Sequence, residues 1–195
     1  AGHAVVSGLA RGIDTASHRG ALRADEAAVP TGAVLGSGID RVYPAANRSL
    51  AAAILGRGGF IMSEYSPGIG AAKYHFPARN RIISGLSRGV VVVQAPARSG
   101  ALITADYALD QGRDLFVHSG GIAGTAGAGT RELADDGARI IDGPMDIFDE
   151  WGIDAREPDA PAASPVETEP DTGQAAARSL VRETRNALIR ERADA

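Results

Sequence analysis

Six short apolar runs alternate with six helix-like stretches along this chain, and that alternation restricts its fold more than any other feature. The strand candidates are residues 4–7, 33–35, 60–63, 90–94, 115–118 and 139–141. The helix candidates are residues 13–24, 47–57, 78–86, 101–111, 130–135 and 144–150. The apolar runs are nearly continuous, as in "VVVV" at 90–93. A strand that is apolar on both sides must be covered on both sides. The pattern therefore predicts an α/β fold with a doubly wound, mostly parallel sheet and helices on both faces. The first strand comes after only "AGH". A doubly wound domain normally begins with an earlier strand and helix, so the chain is expected to be truncated at that side.

Residues 1–150 hold all six repeats and form the expected domain. Residues 151–173 are rich in Pro, Ala, Glu and Asp and read as a disordered linker. Residues 174–195 read as a helical tail, with Leu180, Thr184, Ala187 and Leu188 on a weak apolar stripe. The chain has a net charge of −4. Residues 151–195 carry nine acids against six arginines, so three of those negative charges lie there and one remains for the body. Net charge therefore gives no sign of a polyanionic partner, and such a site would have to be a local patch. No cysteine occurs, which excludes disulfides and thiolate metal sites and fits a cytoplasmic protein. No apolar run approaches the ~20 residues that cross a bilayer, so no membrane partner is expected.

The turns after the strands carry the chemistry. They read "SGLARGID", "GSGIDRVYP", "SEYSPGIGAAKYHFPARNR", "APARSG" and "HSGGIAGTAGAGT". In an open parallel sheet all of these lie at the carboxyl edge, where ligands bind. Glycine turns leading into helices expose backbone N–H groups to an anion. Cations accompany them: Arg11, Arg41, Lys73, Arg79, Arg81 and Arg98. Six cations at one edge suit a phosphate polymer better than a single nucleotide. Lys73 is the only lysine among 20 basic residues, and Tyr74, His75 and Phe76 follow it directly. An ammonium beside aromatic rings offers one group for a phosphate and another for a base. Tyr74 and Phe76 would share a side of an extended loop, with His75 turned inward.

No catalytic set assembles. His3, His18, His75 and His118 are scattered, and Ser7 and Ser99 have no adjacent base. Asp14 and Asp40 read as turn or cap residues. His18 lies one helical turn past Asp14, which predicts a hydrogen bond between them. The first turn lacks the dinucleotide form of GxGxxG, so no nicotinamide cofactor, and no other cofactor, is expected.

Five ordered blocks closely resemble the DprA/Smf family of DNA-processing proteins. They are "VVSGLARGIDTASHRGAL", "AVLGSGIDRVYP", "SEYSPG", "FPARNRIISGLS" and "RSGALITADYALDQGRDLF". The resemblance covers roughly residues 1–150. It implies an extended Rossmann-like domain that binds single-stranded DNA, works as a homodimer, and loads the RecA recombinase onto DNA in natural transformation. It implies a mediator rather than an enzyme. By position it implies that Arg11 and Lys73 contact phosphate and that Phe76 stacks on a base. Arg79, Asn80 and Arg81 belong to the same block. Ser7, Gly8, Ser99 and Gly100 would offer turn N–H groups. An alternative is a phosphoribohydrolase-like enzyme on a related fold, whose signature "PGGxGTxxE" is partly matched by "GAGTREL", with Glu132 one residue out of place. Such a slip rotates a helical carboxylate by about 100°.

Overall fold

The computed structural model describes residues 3–24 and 29–154. The linker at 151–173, except 151–154, and the tail at 174–195 lie outside the described residues. In chain order the strands are β1 (Val5–Ser7), β2 (Thr31–Leu35), β3 (Phe60–Ser63), β4 (Gly89–Val92), β5 (Asp114–His118) and β6 (Arg139–Ile141). The α-helices between and after them are α1 (Ile13–Ala21), α2 (Arg48–Gly56), α3 (His75–Gly85), α4 (Gly100–Asp110), α5 (Ala128–Asp135) and α6 (Pro144–Trp151). Short 3-10 turns at Ala45–Asn47 and Ser119–Gly121 complete the connections.

Every strand pairing is parallel, as the apolar runs predict. The order is β1-β2-β3 in one sheet and β4-β5-β6 in another. Representative registers are Val6 opposite Gly32, Ala33 opposite Ile61, and Val91 opposite Phe116. The sequence does not foretell the break between sheets. The ladders stop at β1 and β4, and residues of both strands line one groove of about 1320 Å³.

Strand β2 shows why both faces need cover. All five of its residues are buried. Ala33 and Leu35 join Leu9, Val42, Leu50, Ala51 and Ile54 in one core cluster. Val34 has the opposite parity and is also fully buried. Helix α2 supplies cover through Leu50, Ala51 and Ile54, and α3 also packs against β2. The second sheet has its own core around Val92, Ala95, Ala105, Leu115, Val117 and Leu133. Each large apolar side chain so buried contributes about 1.5–3 kcal/mol.

Helix α3 begins at His75, three residues before its expected start. Pro77 sits inside its first turn, where a missing N–H costs no hydrogen bond. The same shift overturns the parity argument for the aromatic pair. Tyr74 already has helical backbone angles. Two residues on a helix are about 200° apart, so Tyr74 and Phe76 do not share a face. His75 does turn inward: it is buried and its Nδ1 lies 3.1 Å from the Gly36 carbonyl oxygen.

Candidate nucleic-acid interface

The loop after β1 is fastened from inside. The Asp14 carboxylate accepts N–H bonds from Gly8 at 3.1 Å and Ala10 at 3.0 Å. The Asn47 amide donates to the Leu9 carbonyl at 2.8 Å and to the Thr15 hydroxyl at 2.9 Å. Leu9 takes a positive φ of 60° with its side chain fully buried. A non-glycine residue holds that conformation only when its surroundings enforce it. The loop thus presents Arg11, exposed, at a fixed tip.

These contacts correct part of the sequence reading. Gly8 is buried and its N–H is engaged by Asp14, so it offers no free donor to an anion. The loop before α5 behaves alike. The Ala95 carbonyl accepts from Gly129 and Thr130, and the Thr130 hydroxyl accepts the Ala95 N–H at 2.7 Å. The N–H groups of Gly8, Gly129 and Thr130 are thus spent on the fold. The expected bond between Asp14 and His18 is also absent. His18 Nδ1 lies 2.7 Å from the Thr31 hydroxyl, which donates to the Val5 carbonyl. His18 is fully buried and its Nε2 has no hydrogen-bond partner. Burial lowers its pKa; Asp14 opposes that shift and Arg79 adds to it. Asp40 is a turn residue as expected, accepting the Gly68 N–H at 2.8 Å.

Arg79 and Asn80 brace the edge from α3. Arg79 is buried, and its Nη1 donates to the carbonyls of Gly8, at 2.8 Å, and Val34. Its Nε donates to Asn80 Oδ1 at 3.1 Å. The Asn80 amide donates to the Gly100 carbonyl at 3.3 Å. One helix thereby ties the first turn of α4 to the loop after β1. Burial lowers the Arg79 pKa, and Asp14 offsets the shift. The guanidinium remains charged, with its donors turned inward.

The remaining cations divide by their partners. Arg81 is ion-paired with Glu64, and Arg41 lies 3.6 Å from Asp40. Arg11, Lys73 and Arg98 are exposed and have no acidic partner among the described residues. Arg98 has a positive φ of 61° on the loop after β4. Ser99 caps α4 by accepting the Ala101 N–H at 3.3 Å.

The aromatic residues form a chain of contacts. His75 stacks on Tyr65 at 3.9 Å between centroids. Phe76, half-buried, lies 5.7 Å from Tyr43 and 6.0 Å beneath the Arg79 guanidinium. The sequence reading passed over Tyr43. Its only signal is an aromatic in the turn "GIDRVYP", two residues after a cation.

The groove collects Ser7, Gly8 and Arg11 from the first loop, Phe76, Arg79 and Asn80 from α3, and Gly100 from α4. Lys73, Arg81 and Ser99 lie outside its lining. Glu132, the residue on which the hydrolase alternative depends, is exposed and also lies outside it. Among the described residues no group of His, Asp and Glu is placed to hold a metal, and no helix is long and apolar enough to cross a membrane.

A family model described as DNA recombination-mediator protein A matches residues 1–152. The chain belongs to this family of recombination mediators. Among its relatives, DNA processing protein DprA of Streptococcus pneumoniae is 45% identical over 147 residues, which cover 75% of this chain and 51% of that protein. Protein Smf of Escherichia coli is 42% identical over 165 residues, covering 84% and 43%. The chain spans about half the length of the curated relatives it matches. The X-ray structure of the S. pneumoniae protein superposes with a TM-score of 0.67 at 44% identity, covering 75% of this chain and 50% of that one. DNA processing protein A of Helicobacter pylori, described for its single-stranded DNA binding mode, superposes with a TM-score of 0.65 at 29% identity, covering 76% and 65%. Both confirm the Rossmann-like α/β architecture that the family resemblance implied.

Proposed function

We propose that this chain binds single-stranded DNA along the carboxyl edge of its strands. The carrying observation is that Arg11, without an acidic partner among the described residues, and the half-buried ring of Phe76 line the same groove. Arg11 and Lys73 bind phosphates, and Phe76 stacks on a base. Arg79 and Asn80 hold the edge in shape, and Arg81 is free for phosphate only when it leaves Glu64. The binding of single-stranded DNA by the H. pylori relative supports this reading.

In the same proposal the chain acts in the cytoplasm as a homodimeric mediator, with no catalysis and no cofactor of its own. It passes the strand to the RecA recombinase during natural transformation. Family membership supports this role.

Fluorescence anisotropy of labelled single- and double-stranded oligonucleotides across a salt series tests the binding. Single-strand binding should be tighter, indifferent to sequence, and steeply weakened by salt. Equal affinity for the two forms, or a flat salt response, overturns it. RecA filament nucleation on a coated single strand, with and without the protein, tests the mediator step. An unchanged nucleation rate refutes that step alone.

A further inference from the structure

Tyr43 lies on the connection from β2 to α2, with 54% of its surface exposed. Both flanks of this connection are pinned. Val42 is buried in the core beside Leu50, and Asn47 is buried and bonded to the loop after β1. The Tyr43 hydroxyl makes no hydrogen bond among the described residues. An exposed aromatic on a fixed loop, with no internal task for its polar end, presents a ready flat surface.

The ring faces a specific neighbour. It tilts 35° from the Phe76 ring at a centroid distance of 5.7 Å, and both rings line the groove with Arg11 and Asn80. The spacing decides how bases can be received. A base sandwiched between two rings needs twice the ~3.5–4.0 Å contact distance between carbon atoms. The gap is too small and the planes are too tilted for that. Each ring must therefore take its own base on its free face.

Building on the single-strand reading above, we propose that Tyr43 is a second base-stacking residue, receiving the nucleotide next to the one on Phe76. The tilt splays the two bases and leaves Arg11 to neutralise a phosphate of the same strand. Stacking of this kind is indifferent to base identity, because every base has a π-face.

The test compares Tyr43→Leu, Tyr43→Trp and Phe76→Leu with the parent, using oligo-dT and an abasic strand of equal length. Circular dichroism of each variant checks that the fold is intact. Tyr43→Leu should weaken oligo-dT binding by about 5- to 150-fold, with the salt slope unchanged. Tyr43→Trp should bind like the parent, and the abasic strand should not distinguish parent from Tyr43→Leu. If Tyr43→Leu binds oligo-dT as the parent does while Phe76→Leu is impaired, the second stacking site is refuted and single-strand binding stands. If Tyr43→Trp fails as badly as Tyr43→Leu, Tyr43 only packs against Phe76, and the proposal falls. If the parent itself ignores oligo-dT, the single-strand reading fails and takes this one with it.

Discussion

The Arg79 guanidinium donates a 2.8 Å hydrogen bond to the carbonyl of Gly8, joining the middle of α3 to the first loop at the carboxyl edge of the strands across 71 positions of sequence. A Cβ at Gly8 would run into that guanidinium, so the glycine is there for close approach. Replacing Arg79 with methionine leaves two buried carbonyls without their charged donor. The variant should lose about 1.5–3 kcal/mol of stability. Its DNA affinity should fall without a change in salt slope, because the buried Arg79 guanidinium is already bonded to main-chain carbonyls. Urea denaturation and a salt series of anisotropy curves check both points; a flattened slope would move Arg79 onto the DNA.

The free cations should behave differently. Each of Arg11→Ala and Lys73→Ala should flatten the salt slope by about 0.7 to 1. Arg81→Ala should change it less, since Glu64 already holds that guanidinium. Glu64→Gln should release Arg81 and steepen the slope. The same anisotropy series reads all four variants.

Sequence pattern made the elements legible, and contact at a distance hid the rest. The runs at Phe60–Ser63 and Arg139–Ile141 match the strands to the residue. The sequence pattern starts β2 at Ala33, two residues late, because glycine reads as a turn. In the sheet the Phe60 ring covers Gly32, a cross-strand relation that no local window contains. The six edge cations looked equivalent in sequence. Only the fold separates buried Arg79 and paired Arg81 from exposed Arg11, Lys73 and Arg98. An arginine can be buried only where carbonyls await it, and here they come from Gly8 and Val34.

Asp14 should matter to both folding and binding. Asp14→Ala frees the N–H groups of Gly8 and Ala10. Leaving such donors unpaired costs about 1–3 kcal/mol. The loosened loop would hold Arg11 less firmly, so affinity should fall as well. Thermal denaturation and the binding curve measure the two effects separately; unchanged stability would show that the carboxylate is dispensable to the loop.

His18 predicts acid sensitivity. Burial holds its pKa below the ordinary 6.5, so the unfolded chain binds the proton more readily than the folded one. Its contribution is complete above 6.5 and is lost as pH falls below that value toward the folded pKa. The parent should lose more stability between pH 7 and pH 5 than His18→Gln does. Urea midpoints at the two pH values give the comparison; parallel losses would mean that His18 titrates freely.

Among the described residues, the hydrogen bonds that Arg79 and Asn80 make outside α3 end on main-chain oxygens: those of Gly8 in the loop after β1, Val34 in β2 and Gly100 at the start of α4. A carbonyl is the same whatever side chain stands beside it. These braces from one turn of α3 are therefore indifferent to most loop side chains. Selection, or an engineer, can rewrite residues such as Arg11 and Arg98 to retune the ligand while the frame that spaces them keeps its dimensions.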